Sequence, residues 1–188
     1  MLIRLQLAFL VIACLSVLAA FFPQFSDTYL IFEGNKVLDG QVWRVFTSHI
    51  CHTNWSHLVM NLLALALLMS LFNEVYTLAS FLCVLVLAGI GIGLVYILFY
   101  PAGTQYLGLS GVLHAVASAG AIMSIKARRL FALVFLLGLI AKLIYEFTVG
   151  ASESLAVMIN ARVAVEAHLV GALVGGLFGA YKLSRQTS

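Results

Sequence analysis

The stretch VYTLASFLCVLVLAGIGIGLVYILFYPAGTQYLGLSGVLHAVASAGAIMSI, residues 75–125, runs 51 residues without a charged side chain. A helix crosses a bilayer with about 20 mainly apolar residues. The stretch is therefore too long for one crossing and right for two. Tyr100-Pro101-Ala102-Gly103-Thr104 breaks it in the middle, because Pro and Gly interrupt regular structure. The same pattern extends outward in both directions, with no charge in residues 5–26 or 45–73. The expected spans lie at about 5–24, 56–73, 76–99, 109–126, 130–149 and 162–181, with long connections at roughly 23–55 and 150–161.

Composition agrees with the span pattern. Hydrophobic residues are 63% and charged residues 9% of the 188, against roughly 45–50% and about 25% in a soluble domain. A soluble fold of this size cannot hide that much apolar surface, and disordered, collagen-like and disulfide-scaffold classes fall with it. The reading is an all-α, polytopic membrane protein of one domain, whose partner is the lipid bilayer. A net charge of +3 is too small to point to a nucleic-acid partner. Cys14, Cys51 and Cys83 have no metal-ligand spacing and read as apolar filler. The tetrapeptide Val11-Ile12-Ala13-Cys14 resembles a lipoprotein processing signal; a short apolar helix can contain it by accident, and the first span is read as retained.

Lysine and arginine set the orientation. With the N-terminus inside, Arg4, Lys126, Arg128, Arg129, Lys182 and Arg185 collect on the cytoplasmic side, and only Lys36, Arg44 and Arg162 lie outside. Both termini are then cytoplasmic, and the two long connections face outward.

Polar groups inside a membrane are costly, so their positions carry the functional signal. All five histidines, His49, His52, His57, His114 and His168, fall on the outer half. His57 and Asn61 are four apart and share a helix face; they read either as glue between helices or as converging hydrogen-bond donors. Ser110 stands between glycines in Gly108-Leu109-Ser110-Gly111 at a helix start, where amides and dipole favour a developing anion. His168 precedes Gly171, Gly175 and Gly179 on one face, and Gly111, Ala115 and Ala119 form a matching small row. Close packing of those rows brings Ser110 and His168 together. The chemistry this pair can perform is nucleophilic acyl transfer, with serine as nucleophile and histidine as general base. His57, Asn61 and the Ser110 amide are candidates for the oxyanion. No aspartate lies within a span, so the expected set is a Ser–His dyad, and His114 is a candidate to stack against His168. His114 is also a rival base, although a histidine on the serine's own helix approaches its hydroxyl poorly. Lys142 and Glu146, four apart on the fifth span, read as a mutual ion pair or a substrate contact.

In order along the chain, Trp43-Arg44, His57-Leu58-Val59-Met60-Asn61, Gly108-Leu109-Ser110-Gly111 and Ala167-His168-Leu169-Val170-Gly171 resemble the motifs of the rhomboid intramembrane serine proteases. The resemblance implies a six-transmembrane-helix rhomboid bundle, Ser110 and His168 as the dyad, and His57 and Asn61 in the oxyanion hole. It also implies cleavage of a transmembrane helix of a protein substrate near the outer face, with no cofactor and no metal. Within the family the chain looks most like the rhombosortases, through Gly108–His114, Ala141-Lys142-Leu143-Ile144-Tyr145-Glu146 and Glu166-Ala167-His168-Leu169; Ala115 and Phe147 depart from that pattern. That subfamily implies the inner membrane of a bacterium and exported substrates with a C-terminal Gly-Gly, apolar helix and basic tail. A non-catalytic rhomboid-like binder of transmembrane helices and a histidine-lined metal or haem carrier are the competing classes.

Overall fold

The computed structural model describes residues 2–185. In chain order these form α1 (Leu2–Phe21), α2 (Pro23–Tyr29), β1 (Phe32–Glu33), α3 (Gly34–Leu38), α4 (Arg44–Thr47) and a 3-10 turn (Ser48–Ile50), followed by α5 (Trp55–Leu71), α6 (Leu78–Phe99), β2 (Gln105–Tyr106), α7 (Ser110–Met123), α8 (Arg129–Thr148), α9 (Glu153–Ile159) and α10 (Val165–Arg185). The fold is all-α apart from one short antiparallel ribbon, which pairs Phe32 with Tyr106 and Glu33 with Gln105.

The helices α5, α6 and α7 lie within the charge-free stretches and α1 nearly so, whereas α8 and α10 carry charges, and the six differ as candidate spans. By length and apolarity α1, α6 and α8 can cross a bilayer, and the pair Arg44–Ile50 and Trp55–Leu71, bent by 96°, makes a fourth as a broken span. The helix α7 has only 14 residues, and α10 carries Glu166, Lys182 and Arg185. Among the described residues, three to four candidate spans thus stand where six are expected. Large apolar side chains on α1, α6, α8 and α10, such as Leu7, Leu98, Leu137 and Leu177, face outward, as lipid-facing helices require.

The helices start and stop for local reasons. The side chain of Asn54 accepts from the His57 amide at 2.8 Å and caps α5. Thr77 and Ser80 form a reciprocal capping box at the start of α6. The first long connection folds back on itself around Arg44, which is 1% exposed. Its guanidinium donates to Gln41 Oε1 at 2.8 Å, to the Ile31 carbonyl at 2.6 Å and to the Thr28 carbonyl at 2.5 Å. The Trp43 indole donates to the Tyr29 carbonyl at 2.9 Å. Trp43 and Arg44 therefore hold the connection in shape and do not reach the site.

At the centre α7 packs on α10 with almost no space between backbones. A Cβ on Gly171 would lie 1.9 Å from the Gly111 carbonyl oxygen, and one on Gly175 would lie 2.1 Å from that of Ala115. Ser118 Oγ donates to the Ala172 carbonyl at 2.9 Å across the same seam. By contrast, α8 is loosely attached: among its 20 residues only Ala132 and Glu146 are buried. Its first end is tied by Arg128, which donates to the Leu71 carbonyl at 2.6 Å, and by Phe131 and Phe135 against Phe72.

Candidate active site

Ser110 is the first residue of α7, so its amide belongs to the turn whose N–H groups have no intrahelical acceptor. Gly108 ahead of it has φ +117°, a conformation that L side chains rarely adopt. A Cβ there would also fall 2.9 Å from His57 Cε1. Glycine thus permits both the turn into α7 and the approach of the His57 ring. The turn is fixed from several sides: the Gly108 amide donates to the Ser48 carbonyl at 3.0 Å, and Tyr106 Oη and His49 Nδ1 donate to the Gly108 carbonyl at 2.9 and 3.3 Å.

Across the α7–α10 seam, Ser110 Oγ donates to His168 Nε2 at 2.9 Å. His168 Nδ1 in turn donates to Glu146 Oε2 at 3.0 Å. The other carboxylate oxygen accepts from Lys142 Nζ at 2.7 Å, and the same ammonium donates to His114 Nε2 at 3.0 Å. His114 Nδ1 then donates to the carbonyl of Ser110 at 2.7 Å. The tautomers follow from the partners: a carboxylate can only accept and an ammonium can only donate. Five hydrogen bonds therefore form a ring that leaves Ser110 by its hydroxyl and returns to it by its carbonyl. The His114 and His168 rings stack, with centroids 4.2 Å apart and planes 15° from parallel.

The ring changes two expectations. The sequence reading looks for aspartate and leaves His168 without an acidic partner; Glu146, a longer acid on another helix, provides one. Lys142 and Glu146 pair with each other, and between them they also reach both histidines. The rival pairing of Ser110 with His114 is not made, because the His114 nitrogens are occupied by the Ser110 carbonyl and by Lys142.

His57 and Asn61 line the same cavity as Ser110 and His168, a space of ≈ 310 Å³ that also reaches Thr53 and Arg162. Asn61 Nδ2 donates to the His57 carbonyl at 3.1 Å. His57 Nδ1 lies 3.1 Å from Thr53 Oγ1, which itself donates to the Ile159 carbonyl at 2.5 Å. A hydroxyl has one proton, so His57 Nδ1 is the donor to Thr53 and Nε2 carries the lone pair. A donor on Nε2 would require the other tautomer, in which Thr53 donates to Nδ1 instead of to the Ile159 carbonyl. Thr53 and Ile159 had no motif to mark them in the sequence. The His52 ring meets His57 edge-on, with centroids 5.0 Å apart.

Ligand atoms of His114, Glu146 and His168 lie within 4.8 Å of one another, the spacing of a possible metal set. The Lys142 ammonium sits against His114 and Glu146 and is itself the cation of the cluster. A second acid is placed nearby: Glu166 accepts from Tyr96 Oη at 2.7 Å and from both terminal nitrogens of Arg162.

A helical membrane protein with a serine and a histidine in hydrogen-bond contact beside a cavity is the class this fold and geometry define. The Rhomboid domain model matches residues 39–185, and the chain belongs to the rhomboid family. Members of that family are in general intramembrane serine proteases. No curated protein matches the chain.

Proposed function

We propose that the protein is an intramembrane serine endopeptidase in which Ser110 is the nucleophile and His168 the general base. The observation that carries this reading is the 2.9 Å contact between Ser110 Oγ and His168 Nε2 at the wall of the cavity. Ser110 Oγ attacks the carbonyl carbon of the scissile bond while its proton passes to His168 Nε2. The carbonyl electron pair moves to oxygen, where the Ser110 amide and Asn61 stabilise it, joined by His57 in the tautomer that carries its proton on Nε2. Collapse expels the amine, which takes the proton from His168, and leaves an ester on Ser110. Water then attacks the ester with His168 again as base, freeing the acid and restoring the serine.

The six helices α1, α5, α6, α7, α8 and α10 form the membrane bundle in this reading, with both termini cytoplasmic and the cavity open to the periplasmic side of a bacterial inner membrane. The excess of lysine and arginine at one end supports that orientation. The substrate is a single-span protein cut near the outer face. The residues Gly108–His114, Ala141–Glu146 and Glu166–Leu169 support a rhombosortase, and hence a C-terminal Gly-Gly, apolar helix and basic tail as the substrate. The test is co-expression with a secreted reporter fused to such a tail. Release of the reporter by the wild type, and none by Ser110→Ala at equal abundance, is the expected result. Release that persists with Ser110→Ala refutes the mechanism, and no release by the folded wild type shifts the reading to a binder of transmembrane helices.

A further inference from the structure

An acid is an unusual residue for a lipid-facing helix to bury. Only Ala132 and Glu146 on α8 are buried, and no part of the Ser–His chemistry written above requires a carboxylate there. A surface ion pair with Lys142, one turn away, does not need the acid to be enclosed: Lys142 is 46% exposed and Glu146 is 9% exposed. Burial of a carboxylate is costly unless its oxygens are paired. Both are paired here, and the second partner is the ring nitrogen of His168 opposite the one that meets Ser110.

We propose that Glu146 is a positioning residue for His168, extending the Ser110–His168 pair to a relay held in place by Lys142. The inference rests on the proteolytic reading above. An ionised carboxylate accepts only, so its bond keeps the proton on Nδ1 and leaves the Nε2 lone pair aimed at Ser110 Oγ. When Nε2 takes the serine proton, the positive imidazolium forms against the negative carboxylate, and Glu146 itself is not protonated. Lys142 fixes the other oxygen and so prevents rotation of the carboxylate away from His168. His114, stacked on a face of the His168 ring and also bonded to Lys142, limits tilting of the imidazole. A glutamate on α8 thus does for the base on α10 what the carboxylate does in a Ser–His–Asp set.

The test uses the full chain purified in detergent and a fluorophosphonate probe, with labelling rates followed over a series of probe concentrations. Wild type, Ser110→Ala, Glu146→Gln, Glu146→Asp and Lys142→Met are compared, and a thermal midpoint is measured for each. Glu146→Gln is expected to lower the maximal labelling rate about 10²-fold or more, with the half-saturating probe concentration unchanged. Glu146→Asp keeps the charge on a shorter arm and labels faster than Glu146→Gln, and Lys142→Met loses less than Glu146→Gln. These rates refer to folded protein, so a purely structural role would move the thermal midpoint and leave them unchanged. Labelling of folded Glu146→Gln at the wild-type rate overturns the inference while the Ser110 dependence of labelling leaves the proteolytic reading intact. If Glu146→Gln fails to fold, Glu146→Ala carries the test, and a wild-type rate for the folded variant overturns the inference. A wild type that never labels removes the proteolytic reading, and this inference with it.

Discussion

Adding one methyl group at Gly171 tests whether the α7–α10 seam is what brings base and nucleophile together. The new Cβ would lie 1.9 Å from the Gly111 carbonyl oxygen, whereas ordinary van der Waals contact begins at 3.4 Å. Backbone occupies the other side, so no side chain can rotate away, and α10 must retreat by about 1.5 Å at that level. Ser110 Oγ and His168 Nε2 are 2.9 Å apart and on opposite sides of the seam. A retreat of that size breaks their hydrogen bond, and a misplacement of about 1 Å costs on the order of 10²-fold in rate. Overpacking also costs stability, typically about 1–3 kcal/mol. The control is Gly179→Ala, two turns further from His168, where the new Cβ meets Ala119 Cα at 2.9 Å, so the backbones must part by about 0.5 Å, a third of the displacement at Gly171. Fluorophosphonate labelling of both variants in detergent, beside their thermal midpoints, separates the two effects. Gly171→Ala is expected to label about 10²-fold more slowly per folded molecule, and Gly179→Ala within a few-fold of wild type. Wild-type labelling by folded Gly171→Ala would refute the reasoning.

Three further outcomes follow from the geometry. Asn61→Ala removes a candidate oxyanion donor and is expected to lower the labelling rate about 10²-fold; an unchanged rate would remove Asn61 from the mechanism. Arg44→Lys replaces three nitrogens that separately reach Gln41, Ile31 and Thr28 with a single one, and a thermal melt is expected to show a loss of roughly 1–3 kcal/mol; an unshifted melt would show that the first connection does not depend on the guanidinium. Burial pushes the Cys51 thiol up to about 12, so in a Cys14→Ser, Cys83→Ser background maleimide at neutral pH is expected to modify the chain only after denaturation. Rapid modification of the folded protein would contradict the enclosed loop.

The sequence exposes the pieces of the site that are coded by neighbours along the chain. Ser110 between glycines, His57 and Asn61 on one face, and His168 at the head of a glycine stripe are each legible because helical spacing relates them. The two stripes also indicate which helices approach most closely, and the structure brings them together at Gly111 and Gly171. The acid behind His168 is different. Glu146 has an obvious local partner in Lys142 at i−4, and that pairing satisfies the sequence pattern completely. Whether its second oxygen meets His168 depends on how α8 is rotated about its axis, which no spacing within α8 determines. The same holds for Thr53 and Ile159, 106 residues apart and joined by one hydrogen bond. The span pattern is legible as charge-free stretches, but α7 is short and α10 carries charge, so length and apolarity mark only three to four of the six expected helices. The first connection reads as a long polar gap, and its fold around Arg44 arises from backbone carbonyls that a sequence pattern does not display.

The most direct measurement of the central claim is peptide-level mass spectrometry of the purified protein after exposure to a fluorophosphonate. A single phosphonate adduct is expected on Ser110 in the wild type, and none in folded His168→Ala over the same interval. An adduct on another serine, or a Ser110 adduct that forms equally fast in His168→Ala, would contradict that claim.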